Sequence, residues 1–164
     1  LVERHIQDWP VEVQIVLGED AREQAFHQAS VALAASGTVA LQLAAAGLPF
    51  VIAYKLNKFN ELIARALIKT PWACMVNILL AFQTLGPGFT LNRKAKEKVP
   101  EPWIPEFLQQ DCTPENLATA LLKLFKDPQA RETQMKAMTQ AIALLKAPPH
   151  RAAEGVLGVL EQAV

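Results

Sequence analysis

The sequence predicts an α/β fold with a parallel sheet, because short apolar runs alternate with helical segments along the chain. Two of these runs, residues 31–35 and 49–54, contain almost no polar side chains, which is typical of strands buried on both faces of a parallel sheet. Hydrophobic residues make up 51% of the 164 residues, enough to form the core of a domain of ordinary size. We therefore expect a single domain, residues 1–164, whose helices are right-handed crossovers packed on the sheet.

The first half of the chain predicts three strands and two helices in alternation. The strands are expected at residues 11–17, 31–35 and 49–54, and the helices at residues 19–29 and 38–46. Gly18 ends the first strand. Ser36 or Thr38 can cap the second helix, and Gly47 can end it.

The second half predicts mainly helices. They are expected at residues 58–69, from Thr113 onward, at 128–146 and at 151–163, with a short strand at residues 74–80. Thr113 is a good N-cap residue and Pro114 suits the first helical position. The apolar face of that helix is expected at Leu117, Leu121, Leu122 and Phe125.

Residues 86–105 predict a long, mobile surface loop, because the segment holds two glycines and four prolines. It also carries a basic run with Arg93, Lys94, Lys96 and Lys98. Basic residues near aromatic ones suit an anionic membrane surface, but a solvated loop explains them as well and is the interpretation we favour.

Composition excludes several classes of function. The formal net charge is zero, so we expect no nucleic-acid partner. Cys74 and Cys112 lie far apart and suit reduced thiols rather than a disulfide framework. The scattered histidines predict no metal site, and neither a signal peptide nor a membrane-spanning run is apparent. Because Leu1 is not an initiator methionine, we expect that an N-terminal part is missing.

The turn Ser36-Gly37-Thr38 is the strongest candidate for a binding site, because it joins an apolar strand to a helix. Ligands of parallel sheets lie at the carboxyl ends of strands, and a helix N-terminus attracts anions to its free backbone N–H groups. A simple helix cap is the competing interpretation of these residues.

Five motifs occur in an order that resembles the C-terminal half of bacterial lipid-A-disaccharide synthase. They are Ala35-Ser36-Gly37-Thr38, Pro49-Phe-Val-Ile-Ala-Tyr-Lys55, Val76-Asn77-Ile78-Leu79-Leu80, Ile104-Pro105-Glu106-Phe107-Leu108-Gln109 and Cys112-Thr113-Pro114. The resemblance implies the Rossmann-like C-terminal domain of a GT-B glycosyltransferase. Such an enzyme transfers the sugar of UDP-2,3-diacylglucosamine to 2,3-diacylglucosamine 1-phosphate with inversion, without a metal or other cofactor, and releases UDP.

The same resemblance implies roles for individual residues. Ser36, Gly37 and Thr38 are expected to cradle the donor pyrophosphate. Gln42 stands where related enzymes place an acidic residue that binds the ribose, so the donor contact is weakened. Plain exposure on the helix is the alternative for Gln42.

Three further residues lie in the later motifs. Asn77 is expected in the cleft, with satisfaction of backbone groups as an even alternative. Glu106 and Gln109 either orient the nucleotide or support the loop, and for Glu106 a helix-capping role is slightly favoured. Tyr54 and Lys55 are interpreted as residues at the end of the sheet rather than substrate contacts.

Two departures from the family limit these expectations. Residues 82–103 form an inserted mobile loop where the family has a short segment, and the N-terminal half that would carry the catalytic carboxylate is absent. The chain alone should therefore bind nucleotide without turnover. The alternatives are another UDP-sugar enzyme of the GT-B class and a non-catalytic module that binds nucleotide or a partner protein.

The resemblance also implies location and assembly. The expected partners are the UDP-sugar donor, the acylated glucosamine phosphate acceptor and the surface of the inner membrane of a Gram-negative bacterium, where the protein is cytoplasmic and peripheral. A homodimer through the final helix, residues 151–163, is also expected.

Overall fold

A three-stranded parallel sheet forms the centre of the protein, as a computed structural model shows for residues 2–35, 37–56, 71–86, 95–99 and 101–146. The strands are Ala32–Ala34 (β1), Phe50–Tyr54 (β2) and Glu106–Leu108 (β3), in the order β1-β2-β3. Ala34, the last residue of β1, pairs with Ile52, and Ile52 pairs with Glu106. The predicted α/β class and its parallel sheet are confirmed.

Seven helices are present in the described residues. They are Val2–Ile6 (α1), Glu19–Gln28 (α2), Thr38–Ala45 (α3), Met75–Leu85 (α4), Ala95–Lys98 (α5), Pro114–Lys126 (α6) and Pro128–Leu145 (α7), with a 3₁₀ turn at Gln109–Asp111. Helices α3, α4 and α7 pack against one another, and α6 packs on β2. Phe50 and Ile52 point into the cluster formed with α3, α4 and α7. Val51 points to the opposite side by strand alternation and is also fully buried, so both faces of β2 are covered.

The ends of the helices follow their sequence signals. Thr113 caps α6 by accepting a 3.3 Å hydrogen bond from Asn116 N, with Pro114 as the first helical residue, as predicted. Asp127 caps α7 through bonds of 2.9 and 3.2 Å from the next free N–H groups. Gly47 follows α3 with φ 69°, which confirms its predicted role as the residue that ends this helix.

The predicted strand at residues 11–17 is wrong. These residues have no secondary structure, and the apolar side chains among them are exposed, from 36% at Val16 to 83% at Leu17. A strand needs a neighbour with which to share hydrogen bonds, and in the described part of the chain β1 is paired on one side only. The same fact corrects the burial of β1, because Leu33 is 50% exposed.

The predicted strand at residues 74–80 is also wrong, because Met75–Leu85 is a helix. Its buried residues are Val76, Asn77, Leu80 and Ala81, a helical spacing that a short apolar run hides. The helix continues through Leu85, so residues 82–85 of the predicted inserted loop are helical.

The remaining predictions either differ in part from the structure or fall outside the residues that it describes. In α6, Leu122 and Phe125 are 50% and 59% exposed, and Leu124 is buried instead. Within the predicted loop at 86–105, residues Ala95–Lys98 form one helical turn. The predicted helices at 58–69 and 151–163 lie outside the described residues.

Candidate functional site

The glycine turn between β1 and α3 has the geometry of an open helix N-terminus. Gly37 is the N-cap residue, with φ 124° and ψ −155°, a conformation that is essentially restricted to glycine. It is exposed, and a Cβ built on it would meet nothing within 4 Å. The side chain of Ser36 lies outside the described residues. Space beside the backbone is what an approaching anion requires.

Thr38 is the first residue of α3 rather than its cap, which corrects that part of the prediction. Its side chain is exposed, and the cap position has no side chain that could satisfy the first N–H groups of the helix. Within the described part of the chain, these N–H groups and the Thr38 hydroxyl are therefore available to a ligand at the end of β1.

Gln42 lies one turn further along α3 and is exposed. It lines a groove of about 390 Å³ between α2 and α3, together with Glu19, Arg22 and Phe26. Arg22 forms an ion pair of 3.5 Å with Glu19 in this groove. Gln42 thus belongs to the same helix as the turn, with its side chain on the flank that faces α2.

Glu106 binds the backbone just before the N-terminus of a different helix. Its carboxylate accepts hydrogen bonds from Ala73 N at 2.7 Å and Cys74 N at 3.0 Å, immediately before α4. A carboxylate at this position satisfies free N–H groups and the helix dipole together. Helix α4 therefore carries its own anion, whereas α3 begins with a glycine.

Asn77 is fully buried and holds α4 to the segment that leads into β3. Its Nδ2 donates to Ile104 O at 2.8 Å and to Glu106 Oε1 at 2.6 Å, and its Oδ1 accepts from Ile104 N at 2.9 Å. Both amide hydrogens and the carbonyl oxygen are engaged inside the protein. Its geometry is that of a residue that satisfies buried backbone groups.

Gln109 joins the ends of β2 and β3. Its Oε1 accepts a 3.1 Å hydrogen bond from Leu56 N, two residues beyond the end of β2. Gln109 has φ 53°, which makes it the non-glycine residue with positive φ among those described. Backbone strain of this kind persists only where surrounding contacts hold it.

Burial makes Cys74 chemically quiet. Removal from water raises the pKa of its thiol to about 11, with backbone hydrogen bonds from Asn77 and Val76 opposing the shift and the charge of Glu106 adding to it. The thiol is therefore neutral near pH 7 and is a poor nucleophile.

Sequence reasoning missed Gln134, which is 3% exposed on α7. Its Oε1 accepts from Phe50 N at 2.8 Å, and its Nε2 donates to Phe50 O at 3.1 Å. The amide takes the place of a neighbouring strand at the start of β2, since β3 begins to pair only at Ile52. The available signal was its spacing, because Gln134 lies on one helical face with the buried Met138 and Ala141.

Two further features of the described residues concern other classes of site. No group of three or more histidine, cysteine, aspartate or glutamate side chains there is arranged to hold a metal ion. No helix there is both long and apolar enough to cross a membrane.

The parallel sheet, its flanking helices and the glycine turn after β1 define a Rossmann-like α/β domain. A sequence profile of the lipid-A-disaccharide synthetase family matches residues 1–157. The chain belongs to this family.

Curated lipid-A-disaccharide synthases show the extent of the match. The chain is 37% identical to the protein of Rhodospirillum centenum over 163 residues, which are 97% of this chain and 36% of that protein. It is 36% identical to the protein of Nitrobacter hamburgensis over 160 residues, which are 95% of this chain and 36% of that protein. It is 39% identical to the protein of Nitrobacter winogradskyi over 132 residues, which are 80% of this chain and 28% of that protein. The chain thus spans about a third of the length of these relatives.

Proposed function

We propose that this chain, residues 1–164, is the donor-binding domain of a lipid-A-disaccharide synthase. It binds the UDP part of UDP-2,3-diacylglucosamine for transfer of the sugar to 2,3-diacylglucosamine 1-phosphate. The observation that carries the proposal is the difference between the starts of two helices: the carboxylate of Glu106 binds the backbone just before α4, whereas α3 opens with the exposed Gly37 at the end of β1. Family membership supports this assignment of the open N-terminus.

The proposal gives the candidate residues two kinds of role. Ser36, Gly37 and Thr38 bind the pyrophosphate through backbone N–H groups and hydroxyls, and Gln42 receives the ribose less strongly than a carboxylate would. Asn77, Glu106 and Gln109 position the elements around the nucleotide, as their bonds to Ile104, to the start of α4 and to Leu56 support.

The chemistry follows from where charge develops. As the bond between the anomeric carbon and the diphosphate oxygen breaks, the leaving UDP gains negative charge. Fixed N–H groups and the dipole at the start of α3 stabilise that charge without having to reorganise. The acceptor hydroxyl attacks from the opposite face, which inverts the anomeric centre. The group that takes its proton is proposed to lie outside this chain.

The setting of the whole enzyme is part of the proposal. We place the enzyme in the cytoplasm, peripheral on the inner membrane. Residues 151–163, which the sequence predicts to be helical, are proposed to join two copies. Both statements rest on membership of the family.

Calorimetry with UDP tests the donor site in the full chain. We expect UDP to bind, Thr38→Val to weaken it by removing a hydroxyl, and Gly37→Ala to weaken it by about tenfold because alanine disfavours φ 124°. Gly47→Ala is a matched control, since Gly47 also has positive φ and open space for a Cβ but lies at the other end of α3. Lack of any response to millimolar UDP in the wild-type chain would refute the proposal.

A further inference from the structure

Among the described residues, Lys55 is a cation without a partner, and it lies at the end of the central strand. It directly follows Tyr54, the last residue of β2, and its side chain is exposed. The ion pairs of the described residues join Arg22 to Glu19 and Lys136 to Glu132, and Lys55 takes part in neither. No hydrogen bond within the described part of the chain involves its side chain.

The strand register places Lys55 beside the turn that starts α3. Ala34 pairs with Ile52, and Gly37 and Lys55 each lie three residues beyond that pair. Neighbouring strands are about 4.8 Å apart, and lysine carries its ammonium on a flexible four-carbon stem. Lys55 lies past Tyr54, the last residue of β2, so the alternation of the strand no longer fixes the direction of its side chain, and the flexible stem allows the ammonium to reach an anion at the first turn of α3.

The backbone that carries Lys55 is held in place. Leu56 N, the next peptide group, donates its 3.1 Å hydrogen bond to Gln109 Oε1. Gln109 stands at the end of the adjacent strand β3 and keeps φ 53°. Because this bond joins β2 to β3 just past their ends, it limits how far the chain at Lys55 can swing away from the sheet.

We propose that Lys55 is a further donor-binding residue, whose ammonium pairs with the terminal phosphate of a bound nucleoside diphosphate, and that Gln109 is its positioning residue. The inference rests on the proposed function and deepens it by naming the cation that matches the charge of the ligand. An ammonium close to phosphate oxygens forms charge-assisted hydrogen bonds, which complement the N–H groups of α3. The position also revises the sequence-based interpretation of Lys55 as only an end-of-sheet residue.

Calorimetry on the full chain with UDP, UMP and uridine tests the role of Lys55. We expect Lys55→Met to weaken the binding of UDP by about five- to tenfold, as for one charge-assisted contact at an exposed site. The same variant should weaken the binding of UMP less and leave the binding of uridine unchanged. Lys55→Arg should retain most of the UDP affinity, since it keeps the charge. Lys123→Met is the matched control, because Lys123 lines a groove with Pro105 and Gln134 at the opposite end of the sheet, where the strands begin.

A double variant tests the positioning role. Gln109→Ala should weaken the binding of UDP because it releases the backbone that positions Lys55. The double variant Lys55→Met with Gln109→Ala should therefore bind UDP no more weakly than Lys55→Met alone. Additive losses would overturn the role of Gln109. Circular dichroism of each variant checks that the fold is retained.

The outcomes separate this inference from the donor site itself. If the wild-type chain binds UDP and Lys55→Met binds it equally well, or loses uridine in the same proportion, the role of Lys55 is refuted and the donor site stands. If the wild-type chain binds neither UDP nor uridine, both proposals fail.

Discussion

Gln134 is expected to be the most stabilising polar side chain that the structure reveals, and Gln134→Ala tests this. The change leaves Phe50 N and Phe50 O without their partners at 2.8 and 3.1 Å, in a part of the core where Phe50 is 0% exposed. Each buried backbone group left unpaired costs about 1–3 kcal/mol, so the two together lower the free energy of unfolding by about 2–6 kcal/mol. The whole free energy of unfolding of a natural domain is about 5–15 kcal/mol, so this loss is a large share of it.

Urea unfolding followed by circular dichroism measures this loss. The midpoint should fall while the slope with urea concentration stays the same, since the surface exposed on unfolding is nearly unchanged. Gln140→Ala is the matched control: Gln140 lies on the same helix, but its 2.7 Å hydrogen bond to Gln83 is exposed. We expect less than about 0.5 kcal/mol from that variant. Equal losses from the two variants would refute the argument that Gln134 completes the edge of β2.

Three other predictions address the network beside α4 and the start of α6. Burial raises the pKa of the Cys74 thiol from 9.0 to about 11, so between pH 9 and 11 the unfolded chain releases this proton while the folded protein keeps it. The free energy of unfolding should therefore fall by about 2–3 kcal/mol over this range. Cys74→Ala should remove this contribution in unfolding curves measured at several pH values. Asn77→Asp should lower stability by about 3 kcal/mol or more near pH 7, since it replaces the donor to Glu106 with a carboxylate, and an unchanged melting temperature would contradict this. Thr113→Ala should cost about 1 kcal/mol in urea unfolding by removing the cap on Asn116 N, and Thr113→Ser, which keeps the hydroxyl, should recover most of it.

The comparison of α4 with β1 shows where sequence reasoning succeeds and fails. The sequence predicts β1 and the helix after it because Gly37 follows an apolar run and Gly47 follows an alanine-rich run. Residues 74–80 were taken for a strand because a short apolar run has no visible period. The polar Asn77 inside that run was the available clue, since it is buried on the same helical face as Val76 and Leu80.

The candidate site divides along the same line. Gly37 and Thr38 were predicted from local sequence, since a strand, a tight turn and a helix follow one another within a few residues. The roles of Asn77, Glu106 and Gln109 were left open between ligand and structure, because each depends on a partner 27 to 53 residues away in the chain. Those partners come together only when β2, β3 and α4 pack.

The sequence by itself determined the parallel α/β class, the glycine turn that begins α3, and the family. These features depend on local signals that act over a few residues, namely apolar runs, glycine positions and ordered motifs. Only the tertiary structure decided that Glu106 lies against the backbone just before α4, that Gln134 completes β2, and that Gln109 holds the chain beside Lys55. The physical reason is that buried polar groups must find partners, and which partners lie within about 3 Å depends on the packing of distant segments.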